Sequence, residues 1–321
     1  MTRHKVIYDT DPGVDDAMAL VFQALHPDIE LLGITSVYGN ATIDTTTSNA
    51  LYLRSRFCPG VPVARGAAAP LHRAPPAPLG WIHGDNGLGN IELGEPGDTT
   101  LDTRSAHEFI IDTVRAQPNA VTLIAVGPLT NLALALEADP QIATLVKQVV
   151  IMGGAFGTAG VLGNVSPAAE ANILCDPDAA DIVLGAAWPV TLVGLDVTQE
   201  TIMPDEWLAS FRDQGGDAGR FVWDVSRHYA AFHKDSAGLD GIYVHDSSAV
   251  AYVLAPHLYT VRRGPVRVVT SGIATGQTIQ KPLTMKVPAP DWDDRPAQSV
   301  CIGVNAAGML ELYKNTFFKA P

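Results

Sequence analysis

Cysteine is scarce: three residues in 321, at Cys58, Cys175 and Cys301, far apart and with no C-x-x-C pair. That spacing excludes a disulfide framework and a thiolate zinc site, and it leaves three small hydrophobes for the interior. Charge is scarce too, at 17% of residues, and positive charge most of all: 21 Lys and Arg stand against 34 Asp and Glu, a net charge of −13. So acidic a surface repels a polyphosphate, which excludes nucleic acid held by charge. No uninterrupted apolar run approaches the roughly 18 residues of a membrane span. The segment Met1 to Tyr8 runs straight into an aspartate, without the apolar stretch and cleavage site of a signal peptide. The expected location is the cytoplasm, with neither membrane nor nucleic acid as partner.

What the chain has in quantity is apolar and small. Hydrophobic residues make up 47%, with 29 Gly and 23 Pro, a globular composition rich in turns. Short β-rich runs alternate with helical patterns. Lys5–Tyr8 precedes a helix pattern over Asp15–Leu25, and Leu31–Tyr38 precedes Ile43–Arg56. Ala120–Val126 precedes Leu129–Ala138, Gln148–Met152 stands alone, and Val190–Leu195 follows the helical Asp178–Ala186. Asp217–Lys234 and Ser247–Leu254 also carry helical spacing. This alternation predicts an α/β fold, a mostly parallel central sheet with helices on both faces. The Pro/Gly-rich stretches Pro59–Gly97 and Gly153–Pro167 read as long loops, because apolar segments resume promptly after each. With no boundary between them, residues 1–321 read as a single domain.

The densest chemical signal is Asp9-Thr-Asp-Pro-Gly-Val-Asp-Asp16, four carboxylates in eight residues between a buried-type strand and a helix start. Carboxylates this close repel and need a partner. One aspartate at a first helical turn is an ordinary cap, but four exceed what capping uses. A hard divalent cation accepts such oxygens, and Pro12-Gly13 supplies the turn that aims them at one point. An EF-hand is excluded, since Leu20 or Phe22 falls where its last Glu belongs.

The run resembles the N-terminal signature of the inosine-uridine-preferring nucleoside hydrolase family, D-x-D-P-G-x-D-D. Further blocks match in the family's order: Gly39-Asn40, the loop Ile82-His-Gly-Asp-Asn-Gly-Leu88, Val126-Gly-Pro-Leu-Thr-Asn131, Met152-Gly-Gly, Gly163 to Ile173, and His245-Asp246. The resemblance implies a Rossmann-like single domain that hydrolyses ribonucleosides to ribose and free base. It implies one Ca²⁺ per subunit, held by Asp11, Asp16, Asp246 and the Val126 carbonyl. Asp11 would also be the general base for the attacking water. Asp15, Asn40, Asn164, Glu170 and Asn172 match residues that hold the ribose, with Met152 beside them, and His245 matches the group that assists the departing base. The family's purine-specific branch has tryptophan in that region, so His245 implies a pyrimidine-preferring or broad specificity. Family members also imply a homodimer or homotetramer.

Several residues carry two readings. His245 either assists the base or merely packs beside Asp246, and its place in the His-Asp block favours the first. Tyr229 and His233 share one helix face and either contact the base or, for Tyr229, belong to the apolar stripe. His83 either meets the ligand or braces its Gly-rich loop, in which Asp85, Asn86 and Gly87 suggest a flexible turn; Trp81 beside it is a lid or an interface residue. Ala171 stands where the family often has phenylalanine, which predicts a roomier pocket. Asp291-Trp-Asp-Asp294 reads as a solvated loop. Two rival functions remain: a haloacid-dehalogenase-type phosphatase using Asp9 and Asp11, and a Ca²⁺-dependent binder of sugars or nucleosides without catalysis.

Overall fold

In the computed structural model, which describes residues 3–94, 97–158 and 160–318, the alternation becomes a run of strand–helix units. These are β1 (His4–Thr10), α1 (Val14–Leu25), β2 (Ile29–Ser36), α2 (Ile43–Phe57), β3 (Val63–Arg65), α3 (Gly80–His83) and α4 (Ala106–Ala116). Next come β4 (Val121–Ala125), α5 (Thr130–Ala138), β5 (Gln148–Met152), α6 (Ala171–Cys175), α7 (Pro177–Gly185), β6 (Val190–Val193) and α8 (Leu195–Thr198). After them stand β7 (Ile202–Pro204), α9 (Asp205–Gln214), α10 (Gly216–Ala237), β8 (Gly241–Tyr243), α11 (Asp246–Leu254), β9 (Tyr259–Gly264), β10 (Val266–Val268) and β11 (Thr278–Gln280). The chain closes with α12 (Pro290–Asp293), β12 (Gln298–Val304) and α13 (Ala306–Phe318).

Eight strands form the central sheet in the order β3-β2-β1-β4-β5-β6-β12-β9, all parallel except β9, which pairs antiparallel with β12 at one edge. Strand residues alternate between two cores, as burial on both faces demands. Val6, Tyr8, Ile124, Val150 and Met152 pack with α1, α10 and α11 on one face. Ile7, Leu123, Ala125, Val149 and Ile151 pack with α4, α5 and α7 on the other. No helix among the described residues is long and apolar enough to cross a membrane.

The predicted units are present, with ends shifted by one to three residues. β1 continues through Asp9 and Thr10, so the aspartate run begins inside the sheet. The stretch Pro59–Gly97, expected to be all loop, contains edge strand β3 and the single turn α3; its residues 95–96, like residue 159 of the second loop, lie outside the described residues. Three-residue β3 is too short to show a period, and it exists because Ile34, Thr35 and Ser36 offer it a ladder. The acidic run at 291–294 is solvent-facing as expected, but it makes the short α12, with Asp293 paired to Lys281.

Strand order reverses between β1 and β4. β1 leads through α1 to β2 on one side, whereas β4 leads to β5 on the other, so their carboxyl ends flank an open crevice. The aspartate run and Val126-Gly127 leave the sheet side by side at that point.

Candidate active site

The end of β1 and the start of α1 are held together by Asp16. Its Oδ1 accepts from Thr10 Oγ1 at 2.5 Å, and its Oδ2 accepts from the Gly13 amide and from Asn40 Nδ2, both at 2.9 Å. One of the four carboxylates therefore does act as a helix cap. The others do not: Oδ1 of Asp11 and Oδ1 of Asp15 are buried without a hydrogen-bond partner. Carboxylate oxygens of Asp15, Asp16 and Asp246 lie within 4.8 Å of one another. Asp11 adjoins this group through Asn40, whose amide donates to Asp11 Oδ2 at 2.8 Å and whose side chain donates to the Asp11 carbonyl at 3.2 Å. Burial, then mutual repulsion, raises the carboxyl groups of Asp11, Asp15 and Asp246; Asp15 is pushed up to about 8.

An all-oxygen donor set with orphaned oxygens and raised proton affinity is what a hard cation relieves. Asp15, which the sequence assigned to the ribose, thus stands inside the carboxylate group with Asp16 and Asp246. The Val126 carbonyl faces the same crevice and accepts from Asn172 Nδ2 at 2.8 Å, using one of its two lone pairs.

At its carboxylate floor, a cavity of about 590 Å³ is lined by Asp15, Asn40, Val126 and Asp246, with Asp11 and Asp16 behind them through their bonds to Asn40. Met152, Asn164, Glu170 and Asn172 line it as well, together with residues of α3, α10 and the β8–α11 turn. Of the residues given a site role from the sequence, Asp9 and Asp85 stand apart from it. Asp85 is exposed, and its amide donates to Asn90 Oδ1 within the loop. Asp9 is buried below the floor, where Oδ1 accepts from Thr35 Oγ1 at 2.5 Å and from Asn131 Nδ2 at 2.8 Å. With Oδ1 committed to Thr35 and Asn131 in the sheet, Asp9 is placed as a structural carboxylate and not as a nucleophile.

Glu170 differs from its expected role. Its two oxygens accept from three backbone amides: Asn172 at 2.9 Å, Gly154 at 3.0 Å and Ile173 at 3.1 Å. It caps α6 and fixes the Gly153-Gly154 turn, leaving little capacity for a ligand. Asn164 is exposed and its Oδ1 accepts from the Ala171 amide at 3.1 Å. Ala171 lines the cavity.

His83 serves its loop and the cavity together. Its Nδ1 accepts from the Val14 amide at 3.2 Å, and its ring stacks on Tyr229 at 5.5 Å between centroids. The loop behind it is braced: Asn86 Oδ1 accepts from the amides of Leu88 and Asn90, and Asn49 Nδ2 donates to the Asn86 carbonyl. The flexible turn expected there is a bonded one. Trp81 is 64% exposed and meets Phe232 edge-on at 5.2 Å, at the cavity mouth.

His245 Nδ1 lies 2.8 Å from Thr198 Oγ1. Burial first, then the neighbouring His233 and His83, lowers its pKa to about 3, so the ring is neutral at neutral pH. Thr198, Gln199, Phe232 and Tyr243 are cavity or supporting residues that the sequence did not single out. Tyr243 ends β8 and His245 caps α11, so no strand or helix period in the sequence links the two, although both line the cavity.

Known proteins align with the whole of this arrangement. The model of the family described as inosine-uridine preferring nucleoside hydrolase matches residues 6–311. Uridine nucleosidase 1 of Arabidopsis thaliana is 39% identical over 317 residues, 98% of this chain and 93% of that one. Among solved structures, a plant nucleoside hydrolase superposes with a TM-score of 0.92 at 35% identity, covering 99% of both chains. A purine-preferring ribonucleoside hydrolase from Gardnerella vaginalis gives 0.90 at 33% identity, covering 98% of both.

Proposed function

The chain belongs to the inosine-uridine preferring nucleoside hydrolase family and is a hydrolase of N-glycosyl compounds; from that premise we propose that it cleaves ribonucleosides to ribose and free base with Ca²⁺, and that it is pyrimidine-preferring or broad in specificity. The observation that carries the reading is the pair of orphaned oxygens, Oδ1 of the cavity-lining Asp15 and Oδ1 of Asp11 behind Asn40, beside carboxylates that need a cation. Asp11, Asp16, Asp246 and the Val126 carbonyl, with Asp15 alongside, would hold the ion. When bound, Ca²⁺ supplies charge neutralisation and lowers the pKa of the attacking water.

The protein's own groups do the rest. Asp11 takes the water's proton as the oxygen attacks C1′ of the ribose, through the one carboxylate oxygen no neighbour occupies. Asn40 donates through Nδ2 to the Asp11 carbonyl and to Asp16, and Asn172 donates through Nδ2 to the carbonyls of Val126 and Met152 (2.8 and 3.1 Å). Both amides are thereby turned so that their carbonyl oxygens accept from ribose hydroxyls. Sugar gripped in this way is held toward the flattened, oxocarbenium-like geometry of the transition state.

As the C1′–N bond breaks, its electron pair stays on the base. A neutral imidazole buried as His245 is does not hand over a full proton. With Thr198 Oγ1 donating to Nδ1, its Nε2–H donates a hydrogen bond that spreads the charge on the leaving base, which takes its proton from solvent as Asp11 gives up the one it took from water. The test is to incubate the protein with uridine, cytidine, inosine, adenosine and guanosine, with Ca²⁺ and with chelator. Base release that chelator abolishes is expected, and no release from any nucleoside in Ca²⁺ refutes the proposal.

A further inference from the structure

We propose that His233 selects the base by accepting a hydrogen bond from a ring N–H, so that uracil is taken in preference to cytosine. The inference rests on the function proposed above. His233 Nδ1 lies 3.0 Å from the Tyr229 carbonyl one turn earlier in α10. A carbonyl only accepts, so Nδ1 carries the hydrogen. A neutral imidazole has one N–H, and Nε2, at the other side of the ring, therefore presents a lone pair.

The ring is neutral and held. Burial lowers its pKa to about 4. It stands edge-on to Tyr229 at 4.3 Å and to Tyr243 at 5.1 Å, and turning it over forfeits the bond to the helix. It lines the same cavity as Asp15 and Asp246, with Phe232 and Ser236 of its own helix and His245 beside it in the lining. Ribose held by Asn40 and Asn172 leaves this helix among the walls available to the base.

Uracil carries an N–H at N3, whereas cytosine carries a bare nitrogen there. Uracil satisfies the His233 lone pair. Cytosine sets lone pair against lone pair and leaves a buried acceptor unmet, worth about tenfold to a hundredfold in kcat/KM. N3-methyluridine keeps both carbonyls of uracil and puts a methyl group in place of the N–H, so it removes this contact while His233→Gln reports on the same contact from the protein side.

The experiment measures kcat/KM for uridine, cytidine and N3-methyluridine on wild type and on His233→Gln, whose amide turns either way. Wild type is expected to favour uridine over both others by about tenfold or more. In the variant the uridine-to-cytidine ratio is expected to fall to within about threefold, because an amide satisfies either base. Ratios cancel any loss of folded protein. Equal turnover of uridine and N3-methyluridine by wild type overturns the inference, as does an unchanged ratio in His233→Gln. If wild type hydrolyses no nucleoside, the function proposal fails by itself. The same three ratios, read as dissociation constants by calorimetry, then decide the role of His233.

Discussion

Asp11 occupies a slot between two glycines, and that slot makes a sharp prediction. A Cβ built at Gly127 stands 2.5 Å from Asp11 Oδ1 and 3.0 Å from Val37 Cγ1. Restoring ordinary contact requires a shift of about 1 Å. The carboxylate has nowhere to go, because its other oxygen is bonded to the Asn40 amide at 2.8 Å and abuts Gly39. Gly127→Ala therefore displaces Asp11, the general base proposed above, by about 1 Å, which costs on the order of 100-fold in rate. Overpacking destabilises by about 1–3 kcal/mol, so the melting temperature falls by several degrees and the protein stays folded at 25 °C. The assay is kcat/KM for uridine beside a thermal melt. Gly94→Ala, where an added Cβ meets nothing within 4 Å, is the control and keeps full activity. A folded Gly127→Ala protein within threefold of wild type refutes the claim that Asp11 acts from this slot.

Three further outcomes are expected. Asp16→Asn removes one carboxylate charge from the cluster and should weaken Ca²⁺ binding, measured calorimetrically, by more than the ~10–100-fold that loss of a supporting partner costs. The cation-free fold binds a proton at Asp15, pushed up to about 8, that the unfolded chain releases near pH 4. Its stability thus falls as pH rises between those values, and the gain in Tm on adding Ca²⁺ should be larger at pH 8 than at pH 5; a pH-independent gain contradicts this. Asn131→Ala strips partners from Asp9 Oδ1, the Ser36 carbonyl and the Ala67 amide, all at the β1–β2–β3 strand ends. A loss of about 3–5 kcal/mol is expected by urea denaturation, and a loss under 1 kcal/mol would show that those groups find water instead.

The parallel core was legible because each strand is buried on both faces and each helix has one apolar stripe, and both properties are periodic in sequence. Edge elements were not. β9 alternates weakly, and β7, β8, β10 and β11 are three residues long; they form because neighbouring backbone offers a ladder, which no local pattern records. At the site, residue types were legible and their commitments were not. Glu170 reads in sequence as a free carboxylate, yet its oxygens are taken up by three backbone amides that converge only when the Gly153-Gly154 turn folds over α6. Asp9 and Asp11 look equivalent in the motif. Asp9 still lies within β1, where its carboxylate meets Thr35 and Asn131, whereas Asp11 stands past the strand's last residue, Thr10, where its carboxylate meets the Asn40 amide.

Burial alone does not explain the orphaned oxygens at the floor. Asp176 and Asp196 are buried as deeply, at 0% and 1% exposure, and both are fully bonded. Asp176 accepts from the amides of Leu71 and Ala179 and from Thr130 Oγ1, and Asp196 accepts from the amides of Phe156 and Thr158. This fold therefore has the means to satisfy a buried carboxylate with its own backbone. Asp9 stands between the two cases: one oxygen is doubly bonded, the other is bare, and burial pushes its carboxyl up to about 7, so a proton satisfies it near neutrality. Asp11 and Asp15 lie with Asp16 and Asp246 in a crevice where four protons would be needed and where a single divalent ion removes the same repulsion. The unmet oxygens are what a cation would satisfy, and the crevice at the strand-order reversal is where the sheet leaves room for one.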